Sequence, residues 1–262
     1  MSTDAILHVL LTTALPCVVV SFVVGWFLRK TSYAALAVFC GIVAGNVISR
    51  LLPWWPSEQE MSSLMLTVFF SFFLVDMKPR HWWVGLIFVL FFSTHLLNPQ
   101  PDEKFYTLLS TVVTVLLYLA LLLAERKLSG RLMLILYSLW GLAASIVLIQ
   151  AHSGLLSQIA LLWVCSCIGL YTIFCQRIEP VRGLAGPATI LLQYVLSYGL
   201  QTCYSEVPAM AFILAATSPI CCLMLFKSNS PRLRVIAVLG WLLMLVIACG
   251  LAIYFDDVLV IQ

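Results

Sequence analysis

Ten long apolar runs, separated by short polar punctuation, account for nearly the whole chain. They cover approximately residues 5–28, 33–52, 58–77, 79–97, 104–124, 131–149, 153–176, 184–204, 207–226 and 232–255. Each is close to the roughly 20 residues that an α-helix needs to cross a hydrocarbon core of about 30 Å. No stretch between them is polar enough or long enough to fold as a soluble domain. The pattern therefore predicts an all-α, polytopic integral membrane helix bundle of about ten transmembrane helices, built as a single membrane domain over residues 1–262.

The breaks carry helix-start chemistry. Ser57 and Glu60 have the spacing of a capping box. Ser230-Pro231 reads as an N-cap followed by proline at the first helical position. Pro101-Asp102-Glu103 and Ser205-Glu206 place caps and negative charge at other helix starts. The break between 58–77 and 79–97 is the tightest, Asp76-Met77-Lys78-Pro79-Arg80-His81. Burying its charges at mid-bilayer would cost about 2.5–3.5 kcal/mol each, so two crossings joined by a charged turn are favoured over one.

Composition agrees with this reading. The chain is 63% hydrophobic and only 10% charged, against about 25% charged in soluble domains. The formal net charge of +3 is no sign of nucleic-acid binding, because the basic residues fall in short clusters between apolar runs and form no stripe or finger. They set orientation instead. With the N-terminus outside, the inner loops hold Arg29, Lys30, Lys78, Arg80, Arg126, Lys127, Arg131, Arg177, Arg182, Lys227, Arg232 and Arg234, leaving Arg50 and Lys104 outside. The acids Asp4, Glu58, Glu60, Asp102, Glu103, Glu206, Asp256 and Asp257 fall on the outer side. Both termini are thus expected on the non-cytoplasmic face of the cell (inner) membrane. No Lys or Arg precedes Arg29, so no cleavable signal peptide is expected. Trp54 and Trp55 mark the outer interface, and Trp26, Trp82 and Trp83 the inner one. Trp140, Trp163 and Trp241 fall mid-helix, where each indole N–H needs an acceptor.

Intramembrane charge is the usual pointer to function, and here every Asp, Glu, Lys and Arg maps to a loop or helix end. The strongest polar constellation lies in 184–204, where Thr189, Gln193, Ser197 and Gln201 recur every four residues and form one drifting stripe beside Tyr194 and Tyr198. Such a stripe reads either as the wall of a solute path or as interhelical hydrogen bonding. In 33–52, Ala37, Gly41, Gly45 and Ser49 form a small-residue packing face with Asn46 beside it, and Ser21 and Gly25 repeat the pattern in 5–28. Thr217-Ser218-Pro219 predicts a kink at Pro219.

The nine cysteines all lie in apolar runs and read as small packing residues rather than as disulfides or ligands. His8, His95 and His152 fall near outer helix ends without a ligand pair. No metal, cofactor or catalytic residue is expected, and no enzyme motif is present. Gly183, Gly186 and Pro187 sit in an inner loop without the Lys-Ser/Thr of a phosphate-binding loop. No internal repeat is visible, although five helices and five would require an inverted one.

Two functions follow as expectations. One is permease-like passage of a small neutral or weakly polar solute, lined by Thr189, Gln193, Ser197, Gln201 and Asn46. The other is a structural or assembly role, in which the partners are the lipid bilayer, another membrane protein or a second copy of the chain. The topology has a direct check: a reporter fused after Asp257 should report the non-cytoplasmic side, and a cytoplasmic signal would give the helix count the wrong parity.

Overall fold

The computed structural model describes residues 14–28, 34–49, 86–87, 89–90, 104–174, 181, 183–202, 207–226 and 230–259. Among the described residues the chain is all-helical, with eight helices. They are α1 (Leu15–Leu28), α2 (Ala34–Ser49), α3 (Lys104–Lys127), α4 (Gly130–Gln150), α5 (Gly154–Phe174), α6 (Ala185–Thr202), α7 (Ala209–Thr217, continuing as a 3₁₀ helix over Ser218–Phe226) and α8 (Pro231–Leu259). Each coincides with one of the ten apolar runs. The count of ten is not carried by these residues. The run 58–77 lies outside the described residues, and so does 79–97 except for the helical residues 86–87 and 89–90.

Among the described residues, four helical stretches are long and apolar enough to cross a membrane: Gly130–Gln150, Leu156–Ile173, Ala209–Phe226 and Pro231–Phe255. Their burial identifies the solvent. Pro231–Phe255 is the most apolar of the four, yet only 28% of its window is enclosed, against 61% for the least apolar, Leu156–Ile173. In water the order would be reversed, because an exposed helix face must be polar. Leu239, Leu243 and Val246 of α8 project outward at more than half exposure. The protein is an integral membrane protein.

Packing follows the small residues. Helices α1, α2 and α5 form one mutually packed group. A Cβ on Gly41 would fall 1.9 Å from Ser21 Oγ and 2.8 Å from Ser166 Oγ, and one on Gly169 would fall 2.6 Å from the Val18 carbonyl. Backbones this close exclude any larger side chain. Cys17 donates to the Leu162 carbonyl at 3.2 Å and lies 2.9 Å from Ser166 Oγ. It thus acts as a small packer with a weak donor, and the described cysteines are all free thiols. Between α4 and α5, Ser145 and Ser157 share a hydrogen bond of 3.1 Å. The α4–α5 turn closes through His152 at φ 57°, with its N–H on the Ile149 carbonyl at 2.9 Å. His8 and His95 lie outside the described residues.

At Ser218-Pro219 the helix passes from α to 3₁₀, and a carbonyl there gains a partner the sequence did not name. Proline at 219 cannot donate to the carbonyl four residues earlier. That carbonyl, Ala215, accepts instead from the Ser218 hydroxyl at 2.9 Å and from Trp140 Nε1 at 2.8 Å. The helix tightens to 3₁₀ from Ser218 onward. At its far end the Leu225 carbonyl accepts from Lys127 Nζ, which ties α7 to the end of α3. Trp163 Nε1 likewise reaches the Tyr137 carbonyl at 3.2 Å. Helix α8 begins at Pro231, with the Arg234 N–H on the Ser230 carbonyl. For α7 the residue at the N-cap is Pro208, without a side-chain cap, and Ser205 and Glu206 lie outside the described residues.

Candidate functional site

Helix α6 is enclosed by its neighbours α3, α4, α5 and α7. From Leu184 to Leu196 its side chains are buried almost without interruption. It is too polar to count among the candidate spans, and it is sealed by more apolar neighbours. A helix that carries polar groups at membrane depth must be enclosed in this way.

The start of α6 holds a feature absent from the sequence reading. Helix N-termini leave backbone N–H groups without intrahelical partners. Here they converge on the carboxylate of Glu125, near the end of α3. Glu125 Oε2 accepts from Gly183 N at 2.9 Å, and the N–H groups of Leu184 and Ala185 also donate to the carboxylate. Gly183 has φ 89°, which brings successive N–H groups to one side as an anion-binding nest. Pro187, two residues into the helix, adds no donor in the first turn. The other carboxylate oxygen, Oε1, accepts from Tyr137 Oη of α4 at 2.9 Å. One side chain thus joins α3, α4 and the start of α6.

Glu125 lies one residue beyond the apolar run 104–124 and is 3% exposed. It is at a helix end, as expected of every charge, but it is enclosed rather than solvated. Burial pushes its carboxyl up from 4.5 to about 7, against the lowering effect of the Gly183 and Tyr137 donors. Helix phase explains the placement. Thr114, Tyr118, Leu121, Glu125 and Leu128 recur at helical spacing on the buried face of α3, while Arg126 is exposed. The available signal was an acid on the predominantly basic side of the chain. Thr114 and Tyr118 share a helix face with Glu125, but next to Arg126 and Lys127 that acid reads as part of a charged helix end.

The stripe of α6 runs from enclosed to open. Thr189 is buried and its hydroxyl donates to the Ala185 carbonyl of its own helix at 2.7 Å. Gln193 is 5% exposed, and among the described residues its buried Oε1 has no hydrogen-bond partner. Ser197 is half-buried and Gln201 is exposed. Tyr194 and Tyr198 stack at 5.6 Å beside them. Asn46 lies in α2, and its side chain is outside the described residues. Pro219 is buried in the 3₁₀ segment of α7. Trp241 Nε1 is a second buried polar atom without a partner among the described residues; its ring packs edge-on against Trp140 at 6.2 Å.

The Glu125 nest predicts a pH dependence. The unfolded chain releases the proton near 4.5 and the folded protein near 7. The folded state therefore holds more protons between these values. Stability is greatest below 4.5 and falls as pH rises to about 7, then levels. Thermal unfolding in detergent should show this slope in the wild type and lose it in Glu125→Gln. Glu125→Ala orphans the nest donors at every pH and should cost more than about 2 kcal/mol. A Glu125→Gln variant with the wild-type slope would refute the assignment.

No protein-family model matches this sequence, no curated protein matches it and no solved structure matches its fold, so its activity has to be argued from its own residues.

Proposed function

We propose that the protein provides permease-like passage for a small neutral or weakly polar solute, with Gln193 as the contact point inside the bundle. The observation that carries this reading is the buried, unpartnered Oε1 of Gln193. Buried polar atoms in native proteins nearly always have a partner, whether protein, water or ligand. An acceptor left open in the enclosed helix invites a donor from a solute or from water moving with it. The stripe that opens through Ser197 to Gln201 supplies the next hydrogen-bonding positions toward one end of α6. The hydroxyl of Thr189 keeps acceptor capacity on the enclosed side.

In this reading the chain makes ten crossings with both termini on the non-cytoplasmic side of the cell (inner) membrane. The solute is neutral because Gln193 and the hydroxyls offer hydrogen bonds and no charge. The role is one of passage, not catalysis.

A structural or assembly role has its own support. The apolar outward face of α8, with Leu239, Leu243 and Val246 exposed, suits lipid, a partner helix or a second copy of the chain. Flux separates the two. In vesicles containing the purified protein, entry of small polyols or amides should fall by about fivefold or more in Gln193→Leu, the worth of one net hydrogen bond. Wild-type flux no greater than that of empty vesicles would remove the transport reading, and flux unchanged by Gln193→Leu would remove Gln193 from the path.

A further inference from the structure

Where α3 ends, α4 begins and α8 begins, three elements leave an open cavity of about 360 Å³. Its polar rim holds Lys127, Ser129 and Arg234, and its walls hold Leu132, Val235 and Leu239. No acid lines it. The two cations come from different helices. Lys127 is fixed by its bond to the Leu225 carbonyl; an ammonium carries three donors, so this leaves capacity for an anion. Ser129 is the N-cap of α4, where its Oγ accepts from Leu132 N at 3.4 Å, so the first turn of α4 opens toward the same rim.

The position of the cavity specifies its occupant. It sits at the membrane boundary, since Arg126, Lys127 and Arg131 flank one wall and Arg232 and Arg234 the other. From Leu239 the exposed apolar face of α8 continues through Leu243 and Val246, at i+4 and i+7. A site with two cations at its head and an apolar track leading into the hydrocarbon matches an anionic phospholipid. A basic pocket between transmembrane helices at the boundary is the kind of site that binds such headgroups. We propose that this cavity binds the phosphate of an anionic glycerophospholipid between Lys127 and Arg234, with an acyl chain lying along Leu239, Leu243 and Val246. This assignment is independent of the solute reading at Gln193.

The test is titration of the purified full-length protein in neutral detergent with phosphatidylglycerol or phosphatidylcholine, counting bound lipid by native mass spectrometry. The wild type should bind phosphatidylglycerol more tightly than phosphatidylcholine. Arg234→Gln should weaken phosphatidylglycerol by about fivefold, the worth of one basic residue near the headgroups. Arg232→Gln, two residues away and not lining the cavity, should leave it unchanged. Leu239→Trp, which fills the apolar wall and leaves both cations, should also weaken it. Equal losses in Arg234→Gln and Arg232→Gln would mean diffuse surface attraction and overturn the site. Equal wild-type affinity for the two lipids would do the same. Displacement of phosphatidylglycerol by millimolar glycerol phosphate would make the occupant a soluble phosphate and overturn the lipid assignment.

Discussion

The first turn of α6 presents backbone N–H groups that a lipid-enclosed bundle gives no water to satisfy, and the Glu125 carboxylate takes that role. Gly183, Leu184 and Ala185 donate to it, and Tyr137 fixes its other oxygen. The bond set joins three helices at the point where the enclosed one begins. Everything packed around α6 depends on this entry, because α6 is enclosed by α3, α4, α5 and α7 and has no apolar outer face of its own to hold it in lipid. The buried carboxylate gives that anchor a pH response, since enclosure and hydrogen bonding pull its proton affinity in opposite directions.

A second set of bonds performs the same task at the other irregular point. Pro219 frees the Ala215 carbonyl, and Trp140 with Ser218 takes it up. Lys127 then closes the end of the 3₁₀ segment. Two carbonyls of the interrupted helix, Ala215 and Leu225, are thus met by specific side chains, which is what hydrocarbon requires of non-standard backbone. Gln193 Oε1 and Trp241 Nε1 stand out against that background, and of the two only Gln193 lies on the polar stripe of α6. In a bundle that satisfies even its proline break, an open acceptor in the enclosed helix is the feature most in need of a ligand.

The membrane class and the position of each described helix were legible in the sequence, because apolar runs of near-constant length are a direct consequence of bilayer thickness. The change from α to 3₁₀ helix at Ser218-Pro219 has a local proline signature in the sequence. The partner of the freed carbonyl has none. Trp140 lies 75 positions away, and nothing in the order of residues says which indole will reach it. Glu125 was obscured for a related reason. In soluble helices the apolar stripe reports which face is buried, but the enclosed face of α3 is the one that carries Thr114, Tyr118 and Glu125, so a search for an apolar buried face misplaces it. The Thr189–Gln201 stripe was visible as spacing, while the gradient from enclosed Gln193 to exposed Gln201 emerges only when the neighbours of α6 are in place.

The central claim is that α6, which carries polar groups at membrane depth, is sealed inside the bundle while α8, the most apolar of the four candidate spans, faces lipid. Spin labels at Leu192 of α6 and Val246 of α8, in a cysteine-free background reconstituted into bilayers, measure this through relaxation by lipid-dissolved oxygen. Leu192 is fully buried and Val246 is 68% exposed, so the account predicts strong oxygen relaxation at 246 and little at 192. Equal relaxation at the two positions would contradict it.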